Sequence, residues 1–278
     1  MKKKRKKTGY KWVLIAAGLI AAVLIVCILN VETIKEVDKE ERALKYQPEI
    51  YVREDSQGQK IAIIIDDIGH DMSSLNGLLE INAPITFSIL PHCACSVDAA
   101  EKLHLTGREI LLHLPMEPHD YPDRDPGPGA LFTWMSKEDL RRRIDENIRA
   151  VPYIVGVNNH MGSKFMEDKD KLNAVFNKLD EEGLFFVDSL TTRNSNGRKL
   201  AEKTGLRFAC RDTFFIDNTR DCTVIVKNFK NLIEKRKQWQ TLLLIGHPYP
   251  CTISALKEVI PIIRAEGISI VPVSDLIS

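Results

Sequence analysis

Short apolar runs alternate with longer amphipathic stretches from about Lys60 to the end of the sequence. The runs have the length of buried strands, and the stretches between them carry apolar residues at helical spacing. Such alternation is typical of a mostly parallel sheet flanked by helices. Seven or eight repeats in about 220 residues favour a closed or nearly closed barrel over an open doubly wound sheet. The sequence therefore predicts an α/β fold, a distorted (β/α) barrel of about seven strands.

The boundaries of the predicted elements follow from the same pattern. The predicted strands are 61–65, 85–90, 110–114, 153–157, 184–187, 208 with 214–216, 242–245 and 268–273. The predicted helices are 72–81, 97–105, 137–150, 169–182, 196–203, 224–239 and 253–266, and Ser136 with Asp139 forms a variant capping box before the third. The Pro- and Gly-rich loop 118–133 is too long for a simple connection, so we expect it beside a functional site.

An apolar segment, 12–29, contains eighteen residues without charge. A helix of this length spans roughly 27 Å, close to the hydrocarbon thickness of a bilayer. Seven basic residues precede position 12, and the positive-inside bias places them in the cytoplasm and the rest of the chain outside. The sequence thus predicts a cytoplasmic tail (1–11), a transmembrane helix (12–29), a stalk (30–59) and a barrel domain (60–278) of a single-pass cell-membrane protein.

Two other interpretations of segment 12–29 remain open. A cleaved signal peptide would end in small residues, whereas residues 26–31 are mostly bulky. A buried helix of a soluble core is the other interpretation, although the apolar run is long for it. The uncleaved anchor agrees best with the length and flanks of the segment.

The formal net charge of +1 combines two parts of the chain with opposite charge. Without the seven basic residues before position 12, 32 positive and 38 negative residues remain, which is a net charge of −6. Nucleic acid is therefore not an expected partner, because phosphate binding requires a basic face. Any anionic polymer would have to be bound locally, at the rim of the barrel.

The cysteines give little information about compartment. They show no metal-type spacing, and their number in the predicted extracytoplasmic part is odd. A bridge between Cys210 and Cys222 is geometrically possible, but the sequence does not establish it.

Carboxylates and imidazoles follow the predicted strands at their carboxyl ends, which form the functional face of parallel α/β folds. A carboxylate with two imidazoles suits Zn²⁺ or a similar divalent cation, with a position left for water. A second carboxylate can then act as base and a further histidine as acid, the arrangement of metal-assisted hydrolysis. The residues at these strand ends include Asp66, Asp67, His113, Asn159, His160, Asp188 and His247.

Structural roles are the alternative explanation for the same residues. Asp66 and Asp67 can cap the following helix. Against this, the period of two predicts that they face opposite sides of the strand, so at least one of them should meet the mouth of the barrel. His113 and His160 can be satisfied core histidines, and His247, which precedes a proline, can be a turn residue. The sequence has no Gly-x-Ser-x-Gly elbow and no Walker loop, which argues against serine hydrolases and phosphoryl transfer.

Several ordered motifs resemble those of the divergent polysaccharide deacetylase family. They are Ile65-Asp66-Asp67-Ile68-Gly69, Ile85-Thr86-Phe87-Ser88-Ile89-Leu90-Pro91, Leu112-His113-Leu114-Pro115-Met116-Glu117, Gly156-Val157-Asn158-Asn159-His160-Met161-Gly162-Ser163, Val187-Asp188-Ser189 and Ile245-Gly246-His247-Pro248. The resemblance covers about residues 60–278. It implies a distorted (β/α) barrel of about seven strands.

The resemblance also implies roles for individual residues. In the better-known polysaccharide deacetylases, the first of two adjacent aspartates is the base and the second is a metal ligand; these roles carry over to Asp66 and Asp67. A late Leu-x-x-His motif supplies the acid, which corresponds to His247. The implied metal ligands are Asp67, His113 and His160.

The second and third motifs depart from the better-known pattern. Where that pattern has two histidines four residues apart, this chain has His113 and Glu117, and His160 offers a substitute imidazole. Glu117 and Asp188 are therefore candidates for a further ligand or for support of the ligands. Asn159 and Ser163 are the residues expected to bind substrate.

The leading hypothesis is a membrane-anchored extracytoplasmic hydrolase, dependent on a divalent metal such as zinc. Its expected reaction is hydrolysis of a linear amide, the deacetylation of N-acetylated cell-envelope polysaccharide. An alternative is a catalytically degenerate deacetylase-fold protein that binds glycan or organises the envelope, since a fold does not fix a function. Phosphoester or glycosidic cleavage at the same metal is a third possibility.

Overall fold

The structure is a computed structural model that describes residues 58–277, in which strands and helices alternate. The strands are β1 (Lys60–Ile68), β2 (Thr86–Ile89), β3 (Ile110–Met116), β4 (Gly156–Met161), β5 (Phe185–Asp188), β6 (Phe208–Cys210), β7 (Thr241–Gly246) and β8 (Ser269–Val271). The helices are α1 (Met72–Leu79), α2 (Ser96–Leu105), α3 (Lys137–Ala150), α4 (Lys169–Glu181), α5 (Gly197–Thr204), α6 (Cys222–Glu234) and α7 (Pro250–Ala265).

The predicted tail (1–11), the predicted transmembrane helix (12–29) and nearly all of the predicted stalk (30–59) lie outside the described residues. None of the helices between residues 58 and 277 combines the length and the hydropathy needed to cross a bilayer. The predicted anchor therefore stays a prediction from the sequence.

The strands form a parallel half-barrel. Seven of them follow the order β6-β5-β4-β3-β2-β1-β7, and β8 pairs with the first three residues of β1. Residues 212–216 connect β6 and β7, the two end strands of this order. They follow β6 in the chain and bond to β7, where Asp212 N donates to Leu243 O and Ile216 N donates to Ile245 O, both at 3.0 Å. The predicted parallel α/β architecture with seven strands is confirmed.

Successive residues of β1 belong to two different hydrophobic clusters. Ile61, Ile63 and Ile65 pack with the helices, whereas Ala62 and Ile64 belong to a smaller cluster enclosed by the strands. Burial of both faces explains why β1 is apolar at every position before its carboxyl end. Because side chains alternate along a strand, Asp66 lies on the same enclosed face as Ala62 and Ile64. The polar residues at strand ends that share this alternation include Asp66, His113, Asn158, His160 and His247.

Several predicted boundaries are wrong, and two of them have identifiable reasons. The strand predicted at 153–157 begins only at Gly156. Tyr153 has a φ of 67° and is half exposed, so it is an apolar residue of the connection that precedes β4. The helix predicted at 224–239 begins two residues earlier, because Asp221 caps it by accepting from Thr223 N and Val224 N. Its last predicted turn is a separate 3₁₀ turn after Glu234.

A disulfide joins Cys222 at the start of α6 to Cys251 in the first turn of α7. The bridge considered from the sequence, Cys210 to Cys222, is not formed. The sulfur of Cys210 instead lies 2.7 Å from Nη2 of Arg198.

Candidate active site

An open cavity of about 690 Å³ lies at the carboxyl ends of the parallel strands. The proline-rich loop 118–133 contributes Pro118, His119, Asp120 and Arg124 to its wall, in agreement with the predicted position of this loop. Side chains from the strand ends supply the polar part of the wall, including Asp66, His113, Asn159, His160 and His247.

A β-bulge brings both aspartates of the first motif to the same site. Ile65 faces Phe87 and Ile68 faces Ile89, so β1 contains one residue more than β2 in this interval. Asp67 has a φ of 57° inside the bulge. As a result, Asp66 Oδ2 lies 3.7 Å and Asp67 Oδ1 lies 3.2 Å from Nε2 of the same histidine, His113. The expectation that the two carboxylates face opposite sides is therefore wrong.

Asp67, His113 and His160 form a candidate metal site. Asp67 Oδ1 lies 3.2 Å from His113 Nε2 and 3.1 Å from His160 Nδ1, and these two nitrogens are 3.1 Å apart. Ligand atoms of a tetrahedral zinc ion with bonds of ~2.0–2.1 Å are separated by a similar distance, roughly 3.3–3.4 Å. In the part of the chain that the structure describes, Asp67 Oδ1 is buried and accepts no hydrogen bond. A buried acceptor that faces two ring nitrogens fits a divalent cation.

The electrostatics of these three side chains agree with such a site. Burial alone would raise the pKa of Asp67, but the imidazoles of His113 and His160 outweigh burial and hold this pKa far below its usual range. The carboxyl is therefore ionised over the whole physiological pH range. An ionised carboxylate is the form that binds a cation.

Asn158 orients His113 and also contacts Asp66. Its Oδ1 lies 2.8 Å from Nδ1 of His113, and an amide oxygen can only accept, so Nδ1 carries the proton. In the neutral ring, Nε2 then presents its lone pair toward Asp67. The amide nitrogen of Asn158 donates to Asp66 Oδ1 at 2.7 Å. One buried side chain thus fixes a candidate ligand and a second carboxylate together.

Asp66 is a buried carboxyl beside the candidate metal site, exposed by only 1%. Burial raises the pKa of Asp66, although the charges of His113 and His247 and the hydrogen bond from Asn158 act in the opposite direction. A carboxylate with a raised pKa is a stronger base than one in water. Asp66 is therefore a candidate base.

His247 faces the same cavity from the segment after β7. Its Nδ1 lies 3.0 Å from Asp217 Oδ1, and its Nε2 lies 3.9 Å from Asp67 Oδ2. Burial disfavours the imidazolium, but Asp217, Asp66 and Asp67 outweigh this and raise the pKa of His247 to about 9. With Nδ1 held by Asp217, the proton on Nε2 points toward the site. A protonated imidazole held in this way is able to donate a proton from Nε2.

Asp217 is itself fixed by the main chain and by α7. Its Oδ2 accepts from His247 N at 2.5 Å and from Thr252 Oγ1 at 2.8 Å. Gly246 allows this approach, since a Cβ at that position would lie 3.2 Å from Asp217 Oδ2 and 2.6 Å from Ile216. The interpretation of His247 as a turn residue only does not account for these contacts.

Glu117 and Asp188 lie outside the candidate metal site. Glu117 Oε1 pairs with Lys164 Nζ at 2.8 Å, and its Oε2 accepts from Thr133 N and Oγ1 at 2.7 and 2.6 Å. Asp188 accepts from Leu190 N and Ser195 Oγ at 2.8 and 2.5 Å. In this structure the carboxylate of Glu117 holds the loop 118–133, and the carboxylate of Asp188 holds the turn before α5.

Asn159 and Ser163 both line the cavity, but their side chains differ in availability. Asn159 Oδ1 accepts from Ser189 N at 2.8 Å, and its Nδ2 donates to Met161 O at 2.8 Å. Its amide is thus occupied in joining β4 to the segment after β5. Ser163 Oγ accepts from His119 N at 3.0 Å, which leaves its hydroxyl proton to donate. Contact with substrate remains a prediction for both residues.

Sequence reasoning missed Asn158 and Asp217 as residues of this site. Asn158 and His160 are two residues apart on β4, so their side chains face the same side of the strand. This spacing was the signal that could have identified Asn158. Asp217 follows the apolar run 214–216, which resembled a strand, and nothing in the sequence connects it to His247, thirty residues away.

Comparison with known proteins agrees with the geometry. A family model described as divergent polysaccharide deacetylase matches residues 63–277. The Escherichia coli (strain K12) protein YibQ is 32% identical over 201 residues, which cover 72% of this chain and 62% of YibQ. The chain therefore spans less than two thirds of the length of that relative. An uncharacterized Haemophilus influenzae protein is 30% identical over 198 residues, 71% of this chain and 70% of the relative.

The crystal structure of ATU2773 from Agrobacterium tumefaciens C58 has a similar fold. Its TM-score with this chain is 0.76 at 21% sequence identity, and the match covers 81% of this chain and 92% of that one. At this identity the likeness concerns the fold alone. The half-barrel described above is thus an architecture that also occurs in an experimentally determined structure.

Proposed function

The chain belongs to the divergent polysaccharide deacetylase family, and on this basis we propose that it is a metal-dependent hydrolase of acylated envelope glycan. The reaction we propose is removal of N-acetyl groups from a cell-envelope polysaccharide, which releases acetate and leaves a free amine. The observation that carries the proposal is the convergence of Asp67, His113 and His160, with Asp66 and His247 within 4 Å of these residues.

Asp67, His113 and His160 would hold the metal. Two imidazole nitrogens and one carboxylate oxygen are ligands that Zn²⁺ takes in catalytic sites with three protein ligands, so zinc is the proposed cation. When bound, the cation would supply Lewis acidity, which polarises an acyl carbonyl and lowers the pKa of water. Asn158 supports this arrangement, because its contact with His113 Nδ1 leaves Nε2 free to coordinate.

Asp66 and His247 would perform the proton transfers. Asp66 is buried beside the candidate ligands and has a raised pKa, so it would accept a proton from the attacking water. His247 is protonated at neutral pH, because its pKa is raised to about 9, and it would donate its Nε2 proton to the departing amine nitrogen. The water oxygen would first add to the acyl carbon, the C–N bond would then break as the amine nitrogen takes its proton, and the products would be acetate and amine.

We also propose that the domain works outside the cytoplasm, anchored by segment 12–29. The basic residues before this segment support that orientation. The Cys222–Cys251 bridge supports it independently, since disulfides persist in oxidising compartments and are rare in the cytosol. The untreated chain should fractionate with the membranes. Protease added to intact cells or spheroplasts should cleave the domain. Recovery in the soluble cytosolic fraction would contradict this placement.

Metal analysis combined with acetate release tests the proposed activity. The purified full chain should contain about one equivalent of metal per chain and release acetate from N-acetylated glycan strands. The Asp67→Ala variant should lose both properties. Asp98→Ala is the matched control, because Asp98 is an exposed carboxylate on α2, and it should retain both. Absence of metal, or equal acetate release by the wild type and Asp67→Ala, would refute the proposal.

A non-catalytic glycan-binding protein is the second candidate. One observation favours it. Glu117 stands where better-known deacetylases have a second histidine, and its carboxylate already pairs with Lys164 and accepts a hydrogen bond from Thr133. This candidate predicts that glycan binding survives the Asp67→Ala substitution and that no acetate is released by any variant. The same assays therefore distinguish the two functions.

A further inference from the structure

Three aromatic side chains form a contiguous row on the loop beside the cavity. The ring of Tyr121 lies 4.8 Å from the ring of Phe132, and Phe132 is stacked on Trp134 at 5.5 Å with an angle of 18° between the planes. Phe132 packs against the hydrophobic core, whereas Tyr121 and Trp134 are 41% and 71% exposed. A tryptophan so exposed is unusual in a soluble domain, where this side chain is normally well buried.

The row is held by the same contacts that organise the loop. Thr133, between two of the aromatic residues, donates both its N–H and its hydroxyl to Glu117. Leu131 N donates to Pro115 O and Leu131 O accepts from Glu117 N, both at 2.9 Å, which attaches this part of the loop to the end of β3. The backbone next to Phe132 and Trp134 is therefore attached to β3, and both exposed rings pack on Phe132, which lowers the conformational entropy lost when a ligand packs on them.

One end of the row follows directly, along the chain, from the wall of the candidate active-site cavity. Pro118, His119 and Asp120 line the cavity, and Tyr121 follows them directly. Arg124, four residues after Asp120, lines the cavity as well, and its Nε lies 3.1 Å from Asp120 Oδ2. Two adjacent parts of one loop thus present the polar wall of the cavity and an exposed aromatic surface.

The size and chemistry of this surface suit a sugar ring. A stable protein interface buries about 800 Å² on each partner, far more than two partly exposed side chains can offer. The axial C–H groups of a pyranose form an apolar face with partly positive hydrogens, which complement the negative face of an aromatic ring. The hydroxyl groups of the sugar stay in water at the same time. Because these rings lie outside the lining of the cavity, a sugar stacked on them would be a second residue of a chain whose neighbouring residue occupies the cavity.

We propose that Tyr121 and Trp134 form a glycan-binding platform, on which a pyranose of the polymer stacks next to the residue that enters the cavity. This inference rests on the proposed function, because it assigns the substrate of that site to the class of extended glycan chains. The platform contributes affinity for a neighbouring sugar and has no part in the proton transfers. It therefore distinguishes long oligomers from short ones.

Binding measurements on a non-hydrolysing background test the platform. The full chain with Asp66→Asn, purified in detergent, is titrated calorimetrically with the β-1,4-linked N-acetylglucosamine hexamer and with the disaccharide. Adding Trp134→Ala should lower the ratio of hexamer to disaccharide affinity about tenfold, in the range of one aromatic contact. Trp134→Phe should recover most of this ratio, because an aromatic face is restored.

Tyr153→Ala on the same background is the matched control. Tyr153 is another half-exposed aromatic residue, stacked on His104 and located before the amino end of β4, away from the cavity. This variant should keep the parent ratio. Circular dichroism of each variant shows whether it is folded.

The outcomes separate the platform from the proposed function. An unchanged affinity ratio in Trp134→Ala, or no binding of the hexamer by the Asp66→Asn parent, would overturn the platform, even if the wild type releases acetate. A lowered ratio supports the platform, even if no variant releases acetate, in which case only the deacetylase proposal fails.

Discussion

The amide nitrogen of Asn158 donates to Asp66 Oδ1 at 2.7 Å, while the amide oxygen of the same residue lies 2.8 Å from His113 Nδ1. The proposed base and a proposed metal ligand are therefore positioned by one buried side chain. Ser88 Oγ also contacts Asn158 Oδ1, which further restricts the orientation of the amide. Such partners fix the ring orientation of a metal-binding histidine and increase its affinity for the metal.

Asn158→Leu should weaken metal binding by about 10–100-fold, the usual cost of losing a partner of a ligating histidine. Asn158→Asp should bind metal more tightly than Asn158→Leu, because a carboxylate still accepts from His113 Nδ1. It should nevertheless release acetate slowly, because Asp66 loses its donor and gains a negative neighbour. Competition with a chromophoric chelator measures the affinity. Equal affinities of the wild type and Asn158→Leu would show that this contact does not support the metal.

Glu117→Gln should keep the metal affinity of the wild type, because Glu117 contacts Lys164 and Thr133 and is not among the three converging ligands. His160→Gln, measured in the same chelator assay, should lose most of its affinity. Glu117→Ala should instead lower the free energy of unfolding by roughly 1–3 kcal/mol, since it removes hydrogen bonds to a buried carboxylate. A loss of metal in Glu117→Gln comparable to that in His160→Gln would make Glu117 a ligand.

The alternation of apolar residues predicted most of this fold and part of the site. Five consecutive apolar residues indicate a buried strand such as β1, and the residues that follow it lie at the carboxyl end of the sheet, where functional residues are expected. The bulge at Asp66 and Asp67 was not predictable in this way, because it depends on the register between β1 and β2. A strict period of two therefore gave the wrong direction for one carboxylate.

Contacts between distant segments account for the remaining differences. Asp217 reaches His247 only because residues 212–216 bridge the two end strands of the half-barrel. Cys222 pairs with Cys251 because α6 and α7 begin side by side, whereas from the sequence only a bridge to Cys210 was considered geometrically possible. Such pairings depend on tertiary packing, and a single sequence carries no periodic signal for them.

The pH dependence of acetate release should report the ionisation of His247. A general acid must be protonated, so activity should fall as the pH rises through the pKa of His247, which Asp217 and neighbouring carboxylates raise to about 9. A cation bound by Asp67 would cancel part of that raising effect, so the alkaline midpoint should lie at or below this value. Asp217→Asn removes a raising partner and should shift the midpoint to lower pH.

His247→Gln is the control for this experiment, because its side chain has no proton to lose in this range. Its residual activity should lack the alkaline decline altogether. If Asp217→Asn and the wild type share one alkaline midpoint, the acid is a group other than His247.

Removal of the Cys222–Cys251 bridge should lower the free energy of unfolding by about 3–4 kcal/mol, the chain-entropy value for a loop of roughly 30 residues. Urea denaturation of a Cys222→Ser, Cys251→Ser double variant measures this loss. A reducing agent should lower the stability of the wild type to the same level and leave the double variant unchanged. Cys210→Ser is the control, because its thiol is free and the bridge stays intact. A wild-type midpoint insensitive to reductant would show that the bridge does not stabilise the domain.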